Sequence, residues 1–213
     1  MASLLIYSGG LDSTTMLYEY KDSIALAVSF DYGSKHNARE IACAAENCRL
    51  LGVRHMILPL GFIGQYFRSD LLLSGGEIPE GSYADENMRS TVVPFRNGIM
   101  LAVAAGLAES YELDAIMLAN HSGDHAIYPD CRPEFIDAFA AAVQAGTYNG
   151  VKLLSPYCHM SKRDIALRGK ALGIDYSKTY SCYKGGEKHC GKCGTCTERK
   201  EALEGFDPTE YEE

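Results

Sequence analysis

The sequence has no apolar run of membrane length: the longest uncharged one, Gly98 to Ala108, falls short of the roughly 18 residues a spanning helix needs and reads as a buried helix. No basic residue precedes the short apolar start at Met1 to Tyr7, so no secretory leader is expected and the chain is assigned to the cytoplasm. Basic charge is scarce throughout. The 20 Lys and Arg against 28 Asp and Glu leave a net charge of −8, which argues against a large footprint on nucleic acid or on an anionic membrane. Internal repeats are missing too, and the acidic end, Glu210 to Glu213, reads as a solvated tail.

What remains is a 213-residue chain with 46% hydrophobic residues, enough for one domain with a real core and a small appendage. Short apolar runs at Leu4 to Tyr7, Ile24 to Phe30, His55 to Leu60, Ala115 to Ala119 and Val151 to Leu154 alternate with segments of helical period, clearest at Met100, Val103, Ala104, Leu107, Ala108 and Tyr111. Strand and helix in alternation predict a doubly wound parallel α/β sheet with ligands at the carboxyl ends of the strands. Residues 1–178 are expected to form this domain. Two stretches depart from the pattern. Gly61 to Thr91 is Gly-rich and acidic and reads as a long excursion, either a mobile cover over a site or a disordered surface loop. From Tyr180 to Arg199 large apolar residues give way to Cys, Gly and Lys, too little to fold on a hydrophobic core alone.

Eight cysteines in a chain without a secretion signal point to metal or catalytic roles rather than to disulfides. Cys182, Cys190, Cys193 and Cys196 lie in a Gly-rich stretch whose tight turns can aim four thiolates at one point, which suits structural zinc. An iron–sulfur cluster is the competing reading. His189 could ligate, but four sulfurs suffice. Residues 179–213 are therefore expected to be a small zinc-binding segment packed on the same domain. Cys43, Cys48, Cys131 and Cys158 have no ligand spacing and read as core residues.

Ser8-Gly9-Gly10-Leu11-Asp12-Ser13-Thr14 directly follows the first strand and precedes Thr15 to Tyr20, which can begin a helix capped by Asp12 or Ser13. Paired glycines let backbone amides approach an anion, and the helix N-terminus adds positive character. A tight turn alone also selects paired glycines. Neither the Gly-Lys-Ser/Thr ending of a Walker loop nor the Gly-x-Gly-x-x-Gly of dinucleotide folds is present. Other polar groups cluster at Val93-Pro94-Phe95-Arg96-Asn97, before the most apolar helix, and at Tyr128-Pro129-Asp130-Cys131-Arg132-Pro133-Glu134, after the fourth strand. The second forms a stiff unit able to read a guanine-like edge or clamp a carboxylate. Ser161 caps a late helix with Asp164 at capping-box spacing, which leaves the neighbouring Lys162 unexplained.

The Ser-Gly-Gly-Leu-Asp-Ser loop resembles the pyrophosphatase loop of the PP-loop superfamily of ATP-dependent adenylating enzymes. Together with Val-Pro-Phe-Arg-Asn, Tyr-Pro-Asp-Cys-Arg-Pro-Glu-Phe and the string from Ser181 to Cys193, the chain resembles the 7-cyano-7-deazaguanine synthase family of queuosine biosynthesis over nearly its whole length. The resemblance implies a Rossmann-like fold of the adenine nucleotide alpha hydrolase type. It implies a carbon–nitrogen ligase that turns a carboxylated deazaguanine and ammonia into a nitrile through adenylated carboxylate and amide. Tyr7, Ser8, Gly9, Gly10, Leu11, Asp12, Ser13, Thr14, Thr15 and Phe30 would bind the nucleotide, with Asp12, Ser13 and Lys162 catalytic and magnesium bridging the phosphates. Arg96, Asp130, Arg132 and Lys184 would surround the deazaguanine. Its partners would be small molecules and, as is usual in the family, a second copy of the chain. Relatives that stop at the amide or modify a protein in a defence system, a tRNA-thiolating PP-loop enzyme, and a zinc-knuckle regulator without catalysis are the alternatives.

Overall fold

All five apolar runs become strands of one parallel sheet in the computed structural model, which describes residues 1–82 and 86–212. They are β1 (Ser3–Ile6), β2 (Ile24–Asp31), β3 (His55–Pro59), β4 (Ala115–Met117) and β5 (Lys152–Leu154), in spatial order β3-β2-β1-β4-β5. The interleaved helices are α1 (Leu11–Tyr20), α2 (Asn37–Leu51), α3 (Gly61–Tyr66), α4 (Arg96–Ser110), α5 (Pro133–Gly146), α6 (Lys162–Ala171) and α7 (Gly194–Ala202).

Strand alternation divides the core in two. Leu4 and Ile6 of β1 point into one cluster with Leu26, Val28, Leu101 and Ile116, whereas Leu5 and Tyr7 point into another with Ala27, Met117, Met16 and Ile165. Helices cover both faces, so the central strands β1 and β4 are buried throughout. The strand order reverses between β1 and β4, and an open α/β sheet leaves its ligand crevice at that switch point, beyond the carboxyl ends of the strands.

Residues 88–110 are apolar and long enough by composition to cross a membrane. They do not form one continuous α-helix. A 3-10 turn, Glu86–Thr91, is followed by Pro94 and by Phe95 in the left-handed region at φ 53°, and only then does α4 begin. The Phe95 ring lies over Gly98, where a Cβ would come within 2.3 Å of it. Met100, Ala104 and Ala108 of the expected stripe are buried against the sheet together with Leu101 and Ala105, whereas Val103 and Leu107 are half-buried and Tyr111 is exposed.

Residues 83–85 of the Gly61–Thr91 excursion lie outside the described residues, and the rest is not a disordered surface loop. Leu71, Leu72 and Met88 are fully buried and Ile78 nearly so, which anchors the segment in the core. Gly81 N donates to Lys192 O, so the excursion is strapped to the cysteine segment. Nor is the acidic end a free tail: His189 N donates to Glu210 O and Glu212 N to His189 O. Glu213 lies outside the described residues.

Candidate active site

The glycine loop sits at the switch point. α1 starts at Leu11 with Gly10 as its cap, earlier than the sequence suggested, so Asp12 and Ser13 fall inside the first turn and cap nothing. Gly9 has φ +95°, and a Cβ there would lie 2.2 Å from Glu40 O of α2, so both conformation and space require glycine. Ser8 Oγ accepts from Gly10 N at 3.1 Å and lies 3.0 Å from Ser13 Oγ, which fixes the loop without using a metal or a lysine.

Tyr7, Ser8, Gly10, Leu11, Asp12, Ser13 and Phe30 line one pocket with Arg96, Tyr32, Tyr128, Tyr183 and Lys162. Thr14 and Thr15 do not. Both are fully buried, Thr14 Oγ1 at 3.1 Å from Tyr7 Oη and Thr15 Oγ1 at 2.8 Å from Tyr176 Oη, because the helix turns them into the core. Gly9 also stands behind the lining, packed on α2.

Arg96 is held in an aromatic enclosure: its Nη1 donates to Tyr32 Oη at 3.1 Å, and the guanidinium lies 5.6 Å from the Tyr32 ring and 5.9 Å from that of Tyr128. Tyr128 Oη and Tyr183 Oη are 3.0 Å apart, and His36 packs on Tyr183. A guanidinium kept charged between aromatic rings suits a planar anion. Beside it, burial pushes the Glu40 carboxyl up to about 8 against the pull of Arg96 and Lys162, and pushes His36 down to about 3. His36 Nε2 lies 3.5 Å from Glu40 Oε2, while His36 Nδ1 finds no hydrogen-bond partner among the described residues.

On the other side of the loop, Lys162 Nζ approaches Asp12 Oδ2 at 3.3 Å and Glu198 Oε2 at 2.7 Å. Burial works against its charge, but Asp12 and Glu198 outweigh this and hold the ammonium well above its ordinary range. The buried Asp12 Oδ1 has no partner among the described residues, an orphan that a phosphate-bound cation would satisfy. His121 Nε2 also faces Asp12, at 3.8 Å from its Oδ2, and lies 3.6 Å from Asp124 Oδ1.

Three sequence candidates lie elsewhere. Asp130 is buried, and its Oδ2 accepts from Asn97 N at 2.8 Å, so it supports the first turn of α4 and reaches the pocket only through that turn. Arg132 Nε donates to His125 O at 2.9 Å, outside the lining. Lys184 pairs with Glu80 of the excursion at 2.6 Å, on the surface.

Cys182, Cys190, Cys193 and Cys196 bring four buried sulfurs within 4.8 Å of one another. Cys182 Sγ accepts from Cys190 N, and Cys190 Sγ accepts from Cys193 N, each at 3.3 Å. Such amide donors lower the cost of gathering thiolates, and the donor set fits one tetrahedral ion with no position left for substrate. His189 is not a ligand: its Nε2 accepts from Ser181 N at 3.2 Å. Among the other cysteines, Cys48, Cys131 and Cys158 are buried and Cys43 is half-buried, all as free thiols.

Sequence reading passed over Glu40, His36, His121 and Glu198. Glu40 sits one helical turn after His36, a spacing that otherwise marks an ordinary surface pair, and Glu198 is one charged residue among several in α7.

A family model described as queuosine biosynthesis protein QueC matches residues 2–207. The chain is 66% identical to a 7-cyano-7-deazaguanine synthase of Porphyromonas gingivalis, over 99% of this chain and 97% of that one. It is 54% identical to a protein of the same name from Desulfotalea psychrophila, over 98% of each. Among solved structures it is similar in fold to an NMN synthetase from Francisella tularensis, with TM-score 0.50 and 12% identity over 87% of this chain and 68% of that one.

Proposed function

The chain belongs to the queuosine biosynthesis protein QueC family, and from that premise we propose that it is an ATP-dependent carbon–nitrogen ligase making 7-cyano-7-deazaguanine from 7-carboxy-7-deazaguanine and ammonia. The observation that carries the reading is the meeting of the glycine loop with the Arg96 enclosure in one pocket. The loop suits a triphosphate, and the enclosure suits a flat carboxylated base.

The chemistry needs activation rather than a side-chain nucleophile. A carboxylate repels nucleophiles and has no good leaving group; transfer of AMP to its oxygen removes both obstacles. Ammonia then displaces AMP to give the amide, and a second transfer to the amide oxygen lets that oxygen leave as the nitrile forms. The protein's part is to align the acyl oxygen with the α-phosphorus and to keep water from the adenylate.

In this reading Ser8, Gly10 and Ser13 cradle the pyrophosphate, Phe30 flanks the adenine, and Lys162 neutralises developing charge on the leaving phosphate. Asp12, whose Oδ1 has no partner among the described residues, would hold magnesium, which when bound would supply charge neutralisation. Arg96 takes the deazaguanine carboxylate. Cys182, Cys190, Cys193 and Cys196 would hold a structural zinc, which would supply the order that the composition of the segment after residue 178 cannot. The substrates are small molecules, no nucleic acid is bound, and the enzyme works as a cytoplasmic homodimer.

Incubation with 7-carboxy-7-deazaguanine, ammonium, magnesium and ATP, followed by mass spectrometry of base and nucleotide, tests this. Nitrile and AMP are the expected products. Amide alone would mark a relative that stops halfway, and unchanged base with intact ATP would refute the ligase.

A further inference from the structure

Lys162 is paired across the fold. Its Nζ lies 2.7 Å from Glu198 Oε2 and 3.3 Å from Asp12 Oδ2. Asp12 belongs to the glycine loop, but Glu198 comes from α7, the helix that begins immediately after Cys193 and carries Cys196. The Lys162 and Glu198 side chains are only 11% and 14% exposed, so the pair is weakly screened and its geometry matters. Glu198 Oε1 lies 4.0 Å from His121 Nε2. Gly123 N donates to His121 Nδ1 at 3.1 Å, which leaves Nε2 as the protonated nitrogen facing that carboxylate. α7 is itself seated by the cysteines and by the buried Arg199, whose Nη2 donates to Tyr176 O at 2.7 Å and Thr179 Oγ1 at 2.9 Å.

Of the carboxylates around this ammonium, Asp124 among them, Glu198 and Asp12 pull it two ways. With Glu198 present the ammonium is shared, and Asp12 keeps Oδ1 without a partner among the described residues. With Glu198 neutralised, the ammonium is drawn toward Asp12, and the two groups cancel each other's charge where the phosphates must bind. We propose that Glu198 is a positioning residue that holds Lys162 off Asp12 and toward the phosphates, so that correct seating of the cysteine segment becomes a condition for a competent nucleotide site. The proposal rests on Lys162 serving the phosphates.

The test uses the full chain as Glu198→Gln, Lys162→Met and the double variant. Glu198→Gln is expected to keep its metal content, its thermal midpoint and its KM for the carboxylated base. KM for ATP should rise about tenfold, more than kcat falls, and calorimetric affinity for inorganic pyrophosphate should weaken in step. A residue that merely stabilised the fold would not single out ATP and pyrophosphate. The double variant should be no worse than Lys162→Met alone, because Glu198 then has nothing to hold. Unchanged ATP and pyrophosphate parameters in Glu198→Gln, or losses that multiply in the double variant, overturn the proposal. Full activity in Lys162→Met refutes the role of Lys162 itself, and that failure shows separately because this variant leaves Glu198 intact. If Glu198→Gln does not fold, Glu198→Asp replaces it: a KM between those expected for wild type and Glu198→Gln supports the proposal, and a wild-type KM overturns it.

Discussion

The glycine loop and the cysteine segment both line one pocket, and behind it Tyr180 N donates to Gly9 O at 3.2 Å, yet they are built by different physics. The loop continues β1, whose residues are buried on both faces of the sheet, and its shape follows from a glycine turn and a helix start that the surrounding core already fixes. The cysteine segment is short of large apolar side chains and closes around four sulfurs and one buried guanidinium. The loop's geometry therefore comes with the domain, whereas the segment joins the same core chiefly through its tyrosines and its four gathered sulfurs. Because Tyr183 and Thr195 line the pocket from the cysteine segment, and Glu198 touches it only through Lys162, a core-built site also leans on how that segment is seated.

The largest expected effect breaks the segment's side. Structural zinc binding in small peptides is worth about 10–16 kcal/mol, so Cys193→Ala should lose its metal by elemental analysis and most of its soluble expression. Retention of both would mean that the segment folds on packing alone, and the contrast would vanish. The matching change on the loop side is Asp12→Ala. It should fold with an unchanged thermal midpoint while kcat drops by on the order of 10²-fold or more, the usual scale for removing one group that stabilises transition-state charge. A loss of folded protein instead would show the fold to depend on the loop as much as on the segment.

The same division explains what could be read in advance. Period and spacing are local properties, so the five strands, the loop after β1, the four cysteines and the Ser161–Asp164 cap, in which Ser161 Oγ accepts from Asp164 N at 3.1 Å, were all legible. Partnerships across the fold were not. Asp130 looked like a base reader because it stands between prolines and near Arg132, but a buried carboxylate goes to the nearest free amides, and here these are at the start of α4. The excursion looked mobile because of its Gly-rich and acidic pieces, although Leu71, Leu72 and Met88 are buried in the core. Glu40 and Glu198 carry no local signal, since their meaning depends on what stands opposite them.

A smaller effect separates the two supports of the segment. Arg199 is fully buried, and besides Tyr176 O and Thr179 Oγ1 its Nε donates to Thr209 Oγ1 at 2.8 Å. Arg199→Met keeps much of the volume but orphans buried acceptors, at about 1–3 kcal/mol each. Denaturant titration should show this loss with metal still bound. Metal loss in that variant would instead make guanidinium and thiolates one inseparable unit.

The smallest effect sharpens the loop side, and its sign follows from Glu40. An exposed Glu ionises near 4.5, and burial moves the folded-state value to about 8. Between those values the folded protein holds a proton that the unfolded chain lacks, so stability falls as pH rises, by at most about 1.4 kcal/mol per pH unit, and levels off above the upper value. Glu40→Gln should remove that slope, which is read as the difference between two pH series because acidic groups elsewhere titrate in both. Phosphates bound at the loop add like charge near the same carboxyl and favour its protonated form. Pyrophosphate affinity of the wild type should therefore weaken as pH passes about 8, while that of Glu40→Gln stays level. A wild-type affinity that is flat across this range would mean that Glu40 is shielded from the phosphates, and that the loop, though packed on α2, is electrically independent of it.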